Sequence, residues 1–324
     1  MALAILNSAE EWRARFSADG RGSVVTVGNF DGMHLGHCEI LRRSVEQAHM
    51  LNAQSVAITF DPHPLRFLRP SDAPALLMTL PQRLAALEAE HLDAVLVLKF
   101  DSALEHLSPD DFVQKILVDT LGTRAVLVGQ NFRFGYKQAG DVELLRERGK
   151  AHGFAVECIP AVSWRGRTIS SSAIRQAVGE GRLIRAGRML GRPYGLAGEI
   201  QQGEGRGRRA VYPTLNLRTE QELLPKPGVY ATEVFVDSRL HRAVTNVGIR
   251  PTFGGGSISI ESYLFDFSQD LSSGPMEVRF WPRLRDEMKF PGADVLRMQI
   301  QQDERRARQF FRLIDRFSLK KQSA

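Results

Sequence analysis

Five short apolar runs rich in β-branched residues alternate with longer helical patterns over the first half of this chain. The runs are SVVTVG, SVAITF, AVLVLKF, AVLVGQ and FAVECI, between Ser23 and Ile159. The stretches between them, such as Ile40 to Leu51 and Asp141 to His152, are long enough to be crossover helices. Since strands joined by helices pair in parallel, the pattern predicts a doubly wound α/β domain whose ligands bind beyond the carboxyl ends of the strands.

The pattern changes after GRPYG, Gly191 to Gly195, and we predict a domain boundary near residue 188 that divides residues 1–188 from 189–324. Shorter alternating segments then follow, at Val229 to Val236, Leu240 to Gly248, Ser257 to Asp266 and Met276 to Leu284. They predict an antiparallel barrel or sandwich. A helical repeat from Ala293 to about Phe317 predicts a terminal helix packed on it, with its arginines facing solvent.

Composition narrows the class of protein. A length of 324 residues favours two cores, and 43% hydrophobic with 25% charged residues is typical of a globular chain. The formal charge of +6 favours anionic partners, among which nucleotides qualify as readily as nucleic acids. No secretion signal or membrane-length apolar run is found, so we expect a cytoplasmic protein with two reduced, mostly buried thiols, Cys38 and Cys158.

The segment GNFDGMHLGH, Gly28 to His37, joins the end of the first predicted strand to the start of the first predicted helix. Its glycines allow a tight turn and close approach of phosphate to backbone N–H groups at a helix N-terminus. His34 and His37 are three residues apart, so both imidazoles can donate hydrogen bonds to one triphosphate. This arrangement suits nucleotidyl transfer with pyrophosphate as the leaving group.

The spacing H-x-G-H after a first strand resembles that of the nucleotidylyltransferase superfamily. The longer GNFDGMHLGH is similar to the FMN adenylyltransferase module of bacterial bifunctional riboflavin kinase/FAD synthetases. The resemblance implies a Rossmann-like fold with His34 and His37 as catalytic residues. It further implies that ATP is bound by Gly28, Phe30, Asp31 and Gly36.

Three further segments follow strands in the order that the family shows, TFDPHP, VGQNFRFG and ISSSAIR. Alone, DPHP is equally typical of a rigid turn, and Phe132 and Phe134 of a core. The resemblance implies flavin contacts for Asp61, His63, Asn131, Phe132 and Arg133. It implies ATP phosphate contacts for Ser171, Ser172 and Arg175.

The second half carries GEIQQGEGRGRRAVYPTLNL, Gly198 to Leu217. Gly203, Gly205, Arg206, Gly207 and Arg208 form a cationic loop suited to ATP phosphates, although the composition also describes a mobile surface loop. Thr214 and Asn216 are two apart on an extended segment, so they share one face, and their oxygens suit Mg²⁺. PTLN resembles the P-T-x-N signature of riboflavin kinases, where this pair holds the nucleotide-bound metal.

Within IESYLFDF, Glu261 matches the catalytic carboxylate of the riboflavin kinase family, which takes the proton from the terminal ribityl hydroxyl. By itself it could be a surface carboxylate of a strand. The C-terminal half departs from the family pattern at Val211, Tyr212 and Tyr263, and at LSSG, Leu271 to Gly274. These departures put the fit of flavin and nucleotide in doubt more than the chemistry.

The leading hypothesis is a bifunctional enzyme that makes FMN from riboflavin and ATP, and then FAD from FMN and ATP, with Mg²⁺ in each step. Its expected partners are the small molecules riboflavin, FMN and ATP, and no membrane partner is expected. The sequence leaves the oligomeric state open. One alternative is an FMN adenylyltransferase whose C-terminal domain binds flavin with little kinase activity. A nucleic-acid-binding regulator is disfavoured, because RRM, KH, helix-turn-helix and zinc signatures are missing, and no nucleic-acid partner is expected.

Overall fold

The computed structural model describes residues 3–16, 20–201, 213–250, 257–269 and 271–322, and for residues 250, 257 and 317–322 it describes the backbone alone. The chain divides into two compact units, Met1–Ser171 and Ser172–Ala324. The boundary near residue 188 that the sequence suggests stays a prediction.

The N-terminal unit is built on a parallel sheet of six strands. The strands are β1 (Ala4–Leu6), β2 (Ser23–Val27), β3 (Gln54–Asp61), β4 (Ala94–Lys99), β5 (Thr123–Gly129) and β6 (Ala155–Ile159). Their order in the sheet is β1-β4-β3-β2-β5-β6, and every pair is parallel. The predicted doubly wound α/β fold is confirmed. The strand order reverses direction at β2, which places the expected ligand crevice between the ends of β2 and β5.

Helices cover both faces of this sheet. They are α1 (Ala9–Phe16), α2 (Leu35–Leu51), α3 (Pro64–Leu68), α4 (Leu80–Glu88), α5 (Ser102–Glu105), α6 (Pro109–Asp111), continued by a π-helix (Phe112–Val118), and α7 (Val142–His152). Every residue of β2 is buried, as expected for a strand with helices on both sides. A hairpin of β7 (Ser163–Trp164) and β8 (Arg167–Thr168) follows β6. The sequence did not predict β1, because a strand of three residues shows no usable periodicity. It did not predict α1 either.

The C-terminal unit is a closed barrel of six antiparallel strands, preceded by two helices. These are α8 (Ser171–Gly179), whose first residue closes the N-terminal unit, and α9 (Leu183–Leu190). The strands are β9 (Tyr194–Gln201), β10 (Leu215–Arg218), β11 (Gly228–Val236), β12 (Arg239–Arg250), β13 (Ser257–Leu264) and β14 (Pro275–Arg285). They close in the order β10-β13-β12-β11-β14-β9. Of the two architectures that the sequence left open, the structure therefore has the barrel.

The terminal helix α10 (Ala293–Gln322) packs on the outside of the barrel, as predicted. Ala307 and Phe311 are fully buried in a cluster with Val229, Ala231 and Val244. The buried residues of α10 are four apart, at positions 303, 307 and 311, so this row faces the barrel. Leu313 lies on another side of the helix and is 49% exposed.

An ion pair inside the unit fixes α10 to the end of β14. The Asp303 carboxylate is 1% exposed and accepts hydrogen bonds from Arg285 Nε at 2.9 Å and from Gln299 Nε2 at 3.0 Å. Arg285 Nη2 lies 2.8 Å from the same carboxylate. A charge this deeply buried needs its partner, so the pair sets the position of the helix on the strand.

Candidate active sites

The turn between β2 and α2 holds its shape through unusual backbone angles and buried side chains. Phe30 and Met33 have φ values of 49° and 41°, yet both are 1% exposed because their side chains pack into the core. Gly32 has φ 86°, and a Cβ there would lie 2.6 Å from Leu77 Cδ1. The turn therefore requires glycine at position 32 and anchors itself through the residues on either side.

Asp31 joins this turn to the segment that precedes α4. Its carboxylate is 3% exposed and accepts hydrogen bonds from the backbone N–H of Leu77 at 3.0 Å and of Met78 at 3.1 Å. The backbone oxygen of Asp31 accepts a hydrogen bond from Ser171 Oγ at 2.8 Å. The structure thus brings Ser171, predicted to contact ATP, onto the turn. Ser172, exposed, and Arg175, half-buried, follow on α8.

The two predicted catalytic histidines lie face to face at the start of α2. Their ring centroids are 3.6 Å apart with an angle of 14° between planes. His34 caps the helix, because its Nδ1 accepts a hydrogen bond from the backbone N–H of His37 at 3.3 Å. The remaining nitrogen of His34, Nε2, must then carry the proton of the neutral ring.

His37 is held in its neutral form. Burial, with the His34 imidazole beside it, lowers the pKa of His37 well below its usual range. Its Nδ1 is buried and has no hydrogen-bond partner within the described part of the chain. The edge of the Phe30 ring packs against it, with 5.4 Å between centroids. A buried polar atom without a protein partner, beside a helix N-terminus, suits an anionic ligand.

A cavity of about 990 Å³ opens at the carboxyl ends of β2, β3 and β5. Phe60 and Phe100 form one aromatic wall, with centroids 5.9 Å apart, while Phe132 and Phe134 are stacked 5.5 Å apart. Apart from these four, the lining residues are Val27, Gly28, Asn29, His63, Pro64, Leu65, Leu68, Arg69, Leu104, Glu105, Leu107, Phe112, Asn131, Arg133, Gly135, Tyr136, Lys137 and Gln138. The cavity can accept a large planar ring system.

The cavity contains most of the residues to which the sequence assigned flavin contacts. His63, Asn131, Phe132 and Arg133 line it, whereas Asp61 is half-exposed and lies outside the lining. Phe134 is 7% exposed and belongs to the core, so both readings of these aromatic residues hold in part. Arg133 is 3.3 Å from the Asp141 carboxylate.

Two residues at the cavity were not predicted from sequence. Asn29 belongs to GNFDGMHLGH, but its amide carried no separate signal. Arg83 is one arginine in an amphipathic helix, yet it is 5% exposed and donates hydrogen bonds to the backbone oxygens of Asn29 at 2.9 Å and of Phe60 at 3.0 Å. A buried cation beneath a cavity is visible only in three dimensions.

In the barrel, strand pairing places Asn216 directly opposite Glu261, and Glu261 directly opposite Asn246. Directly opposed residues point to the same side of a sheet with Cβ atoms about 5 Å apart, so the three side chains form one row. Each is half-buried, while Thr214 is exposed. Gly203, Gly205, Arg206, Gly207 and Arg208, and the departures at Val211 and Tyr212, lie outside the described residues.

Space beside this row is filled by a second carboxylate. A Cβ at Gly248 would clash with Glu287 Oε1 and would lie 3.0 Å from Asn246 Nδ2. Both groups therefore crowd over the glycine, next to Glu261. The departure at Tyr263 lies on the same side of β13, where its ring packs with the cluster beneath α10, 5.9 Å from that of Phe265. It is thus part of the helix contact.

A nucleotide-binding α/β unit followed by a small antiparallel barrel with a carboxylate–amide row defines a two-site phosphotransfer enzyme. Residues 16–173 match the FAD synthetase family and residues 190–311 the riboflavin kinase family. The chain belongs to the family of bifunctional riboflavin kinases/FMN adenylyltransferases, as the sequence predicted, and it carries both enzyme domains.

Curated relatives match this chain in sequence over almost its whole length. A bifunctional riboflavin kinase/FMN adenylyltransferase of Haemophilus influenzae is 37% identical over 292 residues, which cover 90% of this chain and 95% of that protein. One from Pseudomonas fluorescens is 38% identical, covering 89% and 93%.

A solved structure shares the fold of both units. It is a Streptococcus pneumoniae protein described as a macrolide-efflux protein, with a TM-score of 0.83 and 28% identity over 95% of this chain and 99% of that chain. Within the described residues of the present chain, none of the helices has the length and apolar character needed to cross a membrane.

Proposed function

We propose that the N-terminal unit transfers the adenylyl group of ATP to FMN at the His34–His37 turn, and that the barrel phosphorylates riboflavin with Glu261 as the base. Riboflavin and ATP then give FMN and ADP, and FMN with a second ATP gives FAD and pyrophosphate. The stacked histidine pair beside the 990 Å³ cavity carries the first assignment. The direct pairing of Asn216 with Glu261 carries the second.

In adenylyl transfer, an oxygen of the FMN phosphate attacks the α-phosphorus of ATP, and the bond to the pyrophosphate oxygen breaks. No covalent enzyme intermediate is needed, because FMN supplies the nucleophile. His34 Nε2 and the imidazole of His37 donate hydrogen bonds to the oxygens on which charge develops. Since burial favours neutral His37, the incoming triphosphate supplies the negative charge that raises its pKa again.

The remaining parts of the turn hold ATP. Gly28 and Gly36 let phosphate oxygens approach the backbone, and the N-terminus of α2 attracts them. Ser171, whose hydroxyl donates to the backbone oxygen of Asp31, contacts the phosphates, and the family resemblance assigns the same role to Ser172 and Arg175 of α8. Asp31 acts mainly by holding the turn, because its carboxylate accepts from Leu77 and Met78. The aromatic walls of the cavity take the isoalloxazine ring.

In the barrel, the Glu261 carboxylate takes the proton from the terminal ribityl hydroxyl of riboflavin as its oxygen attacks the γ-phosphorus of ATP. Thr214 and Asn216 fit Mg²⁺, because hydroxyl and amide oxygens are hard donors and nucleotide phosphates complete such sites. Among the described residues, no group of three or more histidine, cysteine or acidic side chains is placed to hold a metal ion. Mg²⁺ would neutralise phosphate charge there.

Composition alone supports the role of the loop from Gly203 to Arg208, whose arginines we assign to the ATP phosphates of the kinase step. We place the enzyme in the cytoplasm, a reducing compartment in which the free thiols of Cys38 and Cys158 are stable.

Product analysis with two variants tests these assignments. Glu261→Gln should lower FMN formation from riboflavin by roughly 10²- to 10⁴-fold and leave FAD formation from FMN intact. His34→Ala should do the reverse, with a loss of roughly 10²- to 10³-fold in FAD formation. The exposed residues Glu199 and His152 provide matched controls, Glu199→Gln and His152→Ala.

Chromatography of the flavins after incubation with ATP and Mg²⁺ reports both steps. If the wild-type chain makes FAD from FMN but no FMN from riboflavin, the barrel is a flavin-binding module and the kinase assignment fails.

A further inference from the structure

The guanidinium of Arg83 is buried at the point where strands β2 and β3 of the N-terminal sheet stop pairing. The last residue pair of β2 and β3 is Val27 with Ile58, and Gly28 N–H still donates to Ile58 oxygen at 3.0 Å. Beyond this point the cavity begins, and the backbone oxygens of Asn29 and Phe60 lie past the last residue pair of β2 and β3. Arg83 donates to both.

Burying this cation is costly. Burial lowers the pKa of Arg83 from its ordinary value, although the charges of Asp61 and Asp31 act in the other direction. Asp61 Oδ1 is 3.9 Å away, too far for a hydrogen bond, so the two backbone oxygens are the close partners that the structure shows. An apolar residue of similar size would leave both backbone oxygens without this donor, which indicates that Arg83 serves the geometry of the strand ends.

The side chain of Asn29 extends this geometry to the cavity wall. Its amide nitrogen lies 3.1 Å from His63 Nε2, and His63 Nδ1 lies 3.2 Å from the backbone nitrogen of Leu65. His63 is 6% exposed and forms part of the cavity lining. Both of its ring nitrogens therefore have neighbours in the protein.

These two contacts specify one tautomer. Leu65 N–H can only donate, so His63 Nδ1 accepts and the neutral ring carries its proton on Nε2. Nε2–H then needs an acceptor, which Asn29 provides when its amide turns by 180° and exchanges its nearly isosteric nitrogen and oxygen ends. With Nδ1 protonated instead, two donors would face each other at Leu65.

We propose that Asn29 and Arg83 are positioning residues that hold His63 as the Nε2-protonated tautomer in the wall of the flavin cavity. Arg83 fixes the Asn29 backbone from helix α4, and Asn29 fixes the imidazole. His63 then shapes the cavity, with no part in proton transfer, because both nitrogens are used by the protein. This inference rests on the proposed adenylyltransferase function of the N-terminal unit.

Asn29→Ala is the informative variant, since it removes the amide and keeps the backbone oxygen that Arg83 and Thr59 bind. We expect KM for FMN to rise roughly ten-fold, as for one lost buried hydrogen bond, with kcat changed less than about three-fold. Asn29→Asp retains an acceptor for Nε2–H and should stay within about three-fold of wild type in both constants. Asn7→Ala, at an exposed position, is the control.

Arg83→Lys keeps the charge but loses the fork that reaches both carbonyls. It should raise KM for FMN, and combined with Asn29→Ala it should add little more, because both act through His63. The thermal unfolding curve shows whether the N-terminal unit of each variant is folded, and riboflavin phosphorylation by the barrel of the same chain shows that the effect is confined to that unit. Additive effects would overturn the link from Arg83 to His63.

Nitrogen-15 NMR of labelled histidines in the full chain reads the tautomer directly. The resonance that shifts on Asn29→Ala should belong to a ring with unprotonated Nδ1; protonated Nδ1 would overturn the inference. A wild-type chain that makes no FAD from FMN would overturn the proposed function itself. Normal KM for FMN in Asn29→Ala, with active wild type, would overturn the positioning role alone.

Discussion

Replacing Asp31 tests whether its carboxylate holds the turn between β2 and α2 or binds ATP. The carboxylate is 3% exposed and accepts from the backbone N–H groups of Leu77 and Met78. In Asp31→Ala these donors lose a charged acceptor, which at about 1 to 2 kcal/mol for each buried group costs about 2 to 4 kcal/mol. Asp31→Asn keeps one oxygen, so we expect about half of this loss.

For a unit of this size, about 1 kcal/mol lowers Tm by roughly 2 to 4 °C, so Asp31→Ala should lower the transition of the N-terminal unit by roughly 4 to 16 °C. Differential scanning calorimetry gives this shift, and riboflavin kinase activity serves as the control for the barrel. Hydrogen exchange should show faster exchange in the peptide that contains Leu77 and Met78.

A normal Tm with weaker ATP binding would refute the structural role of Asp31. If Asp31→Ala keeps the exchange protection and Tm of wild type but raises KM for ATP more than about ten-fold, the carboxylate binds nucleotide and our account of the turn is wrong.

Three further predictions follow from single features of the structure. Because the pKa of His37 is lowered in the folded chain, the unfolded chain binds a proton there that the folded chain does not, so the free energy of unfolding should fall as pH drops below about 6.5. In denaturant titrations, His37→Gln should make this fall smaller. Asp303→Asn leaves Arg285 partly unpaired and should destabilise the barrel by about 3 to 5 kcal/mol, measured by calorimetry, whereas an equal loss in the exposed-site variant Asp294→Asn would contradict this. A fragment of residues 172–324 should melt higher than one of residues 189–324, because α9 packs on β9 and β14; equal melting would support the boundary near residue 188.

The order of elements could be predicted from the sequence because local patterns determine it. The five apolar runs between Ser23 and Ile159 gave β2 to β6, and the alternating segments after Val229 gave β11 to β14. Strand β9 was missed, since a glycine-rich run shows little alternation, whereas the extended segment predicted around Thr214 and Asn216 contains the start of β10. The choice of a closed barrel depended on which strands pair, and this is a long-range property.

The candidate sites likewise have residues that the sequence pointed to and an arrangement that only the fold shows. Motif chemistry singled out His34, His37 and Asn216, because each belongs to a short segment whose residue types suit phosphate or metal binding, whereas Glu261 was singled out by the resemblance to riboflavin kinases. It could not show that Asn216 and Glu261 are cross-strand neighbours, since 44 residues separate them and only strand register brings them together.

Burial is the other property that only the tertiary structure decided. From sequence, Asp31 is a polar residue in a phosphate turn and Arg83 one of many arginines. The fold buries both, so the carboxylate holds the turn against the segment before α4 and the guanidinium fixes the strand ends beneath the cavity. Residue type determined which chemistry was possible, while packing over long sequence distances determined which groups meet, because desolvation and hydrogen-bond partners depend on the surrounding atoms.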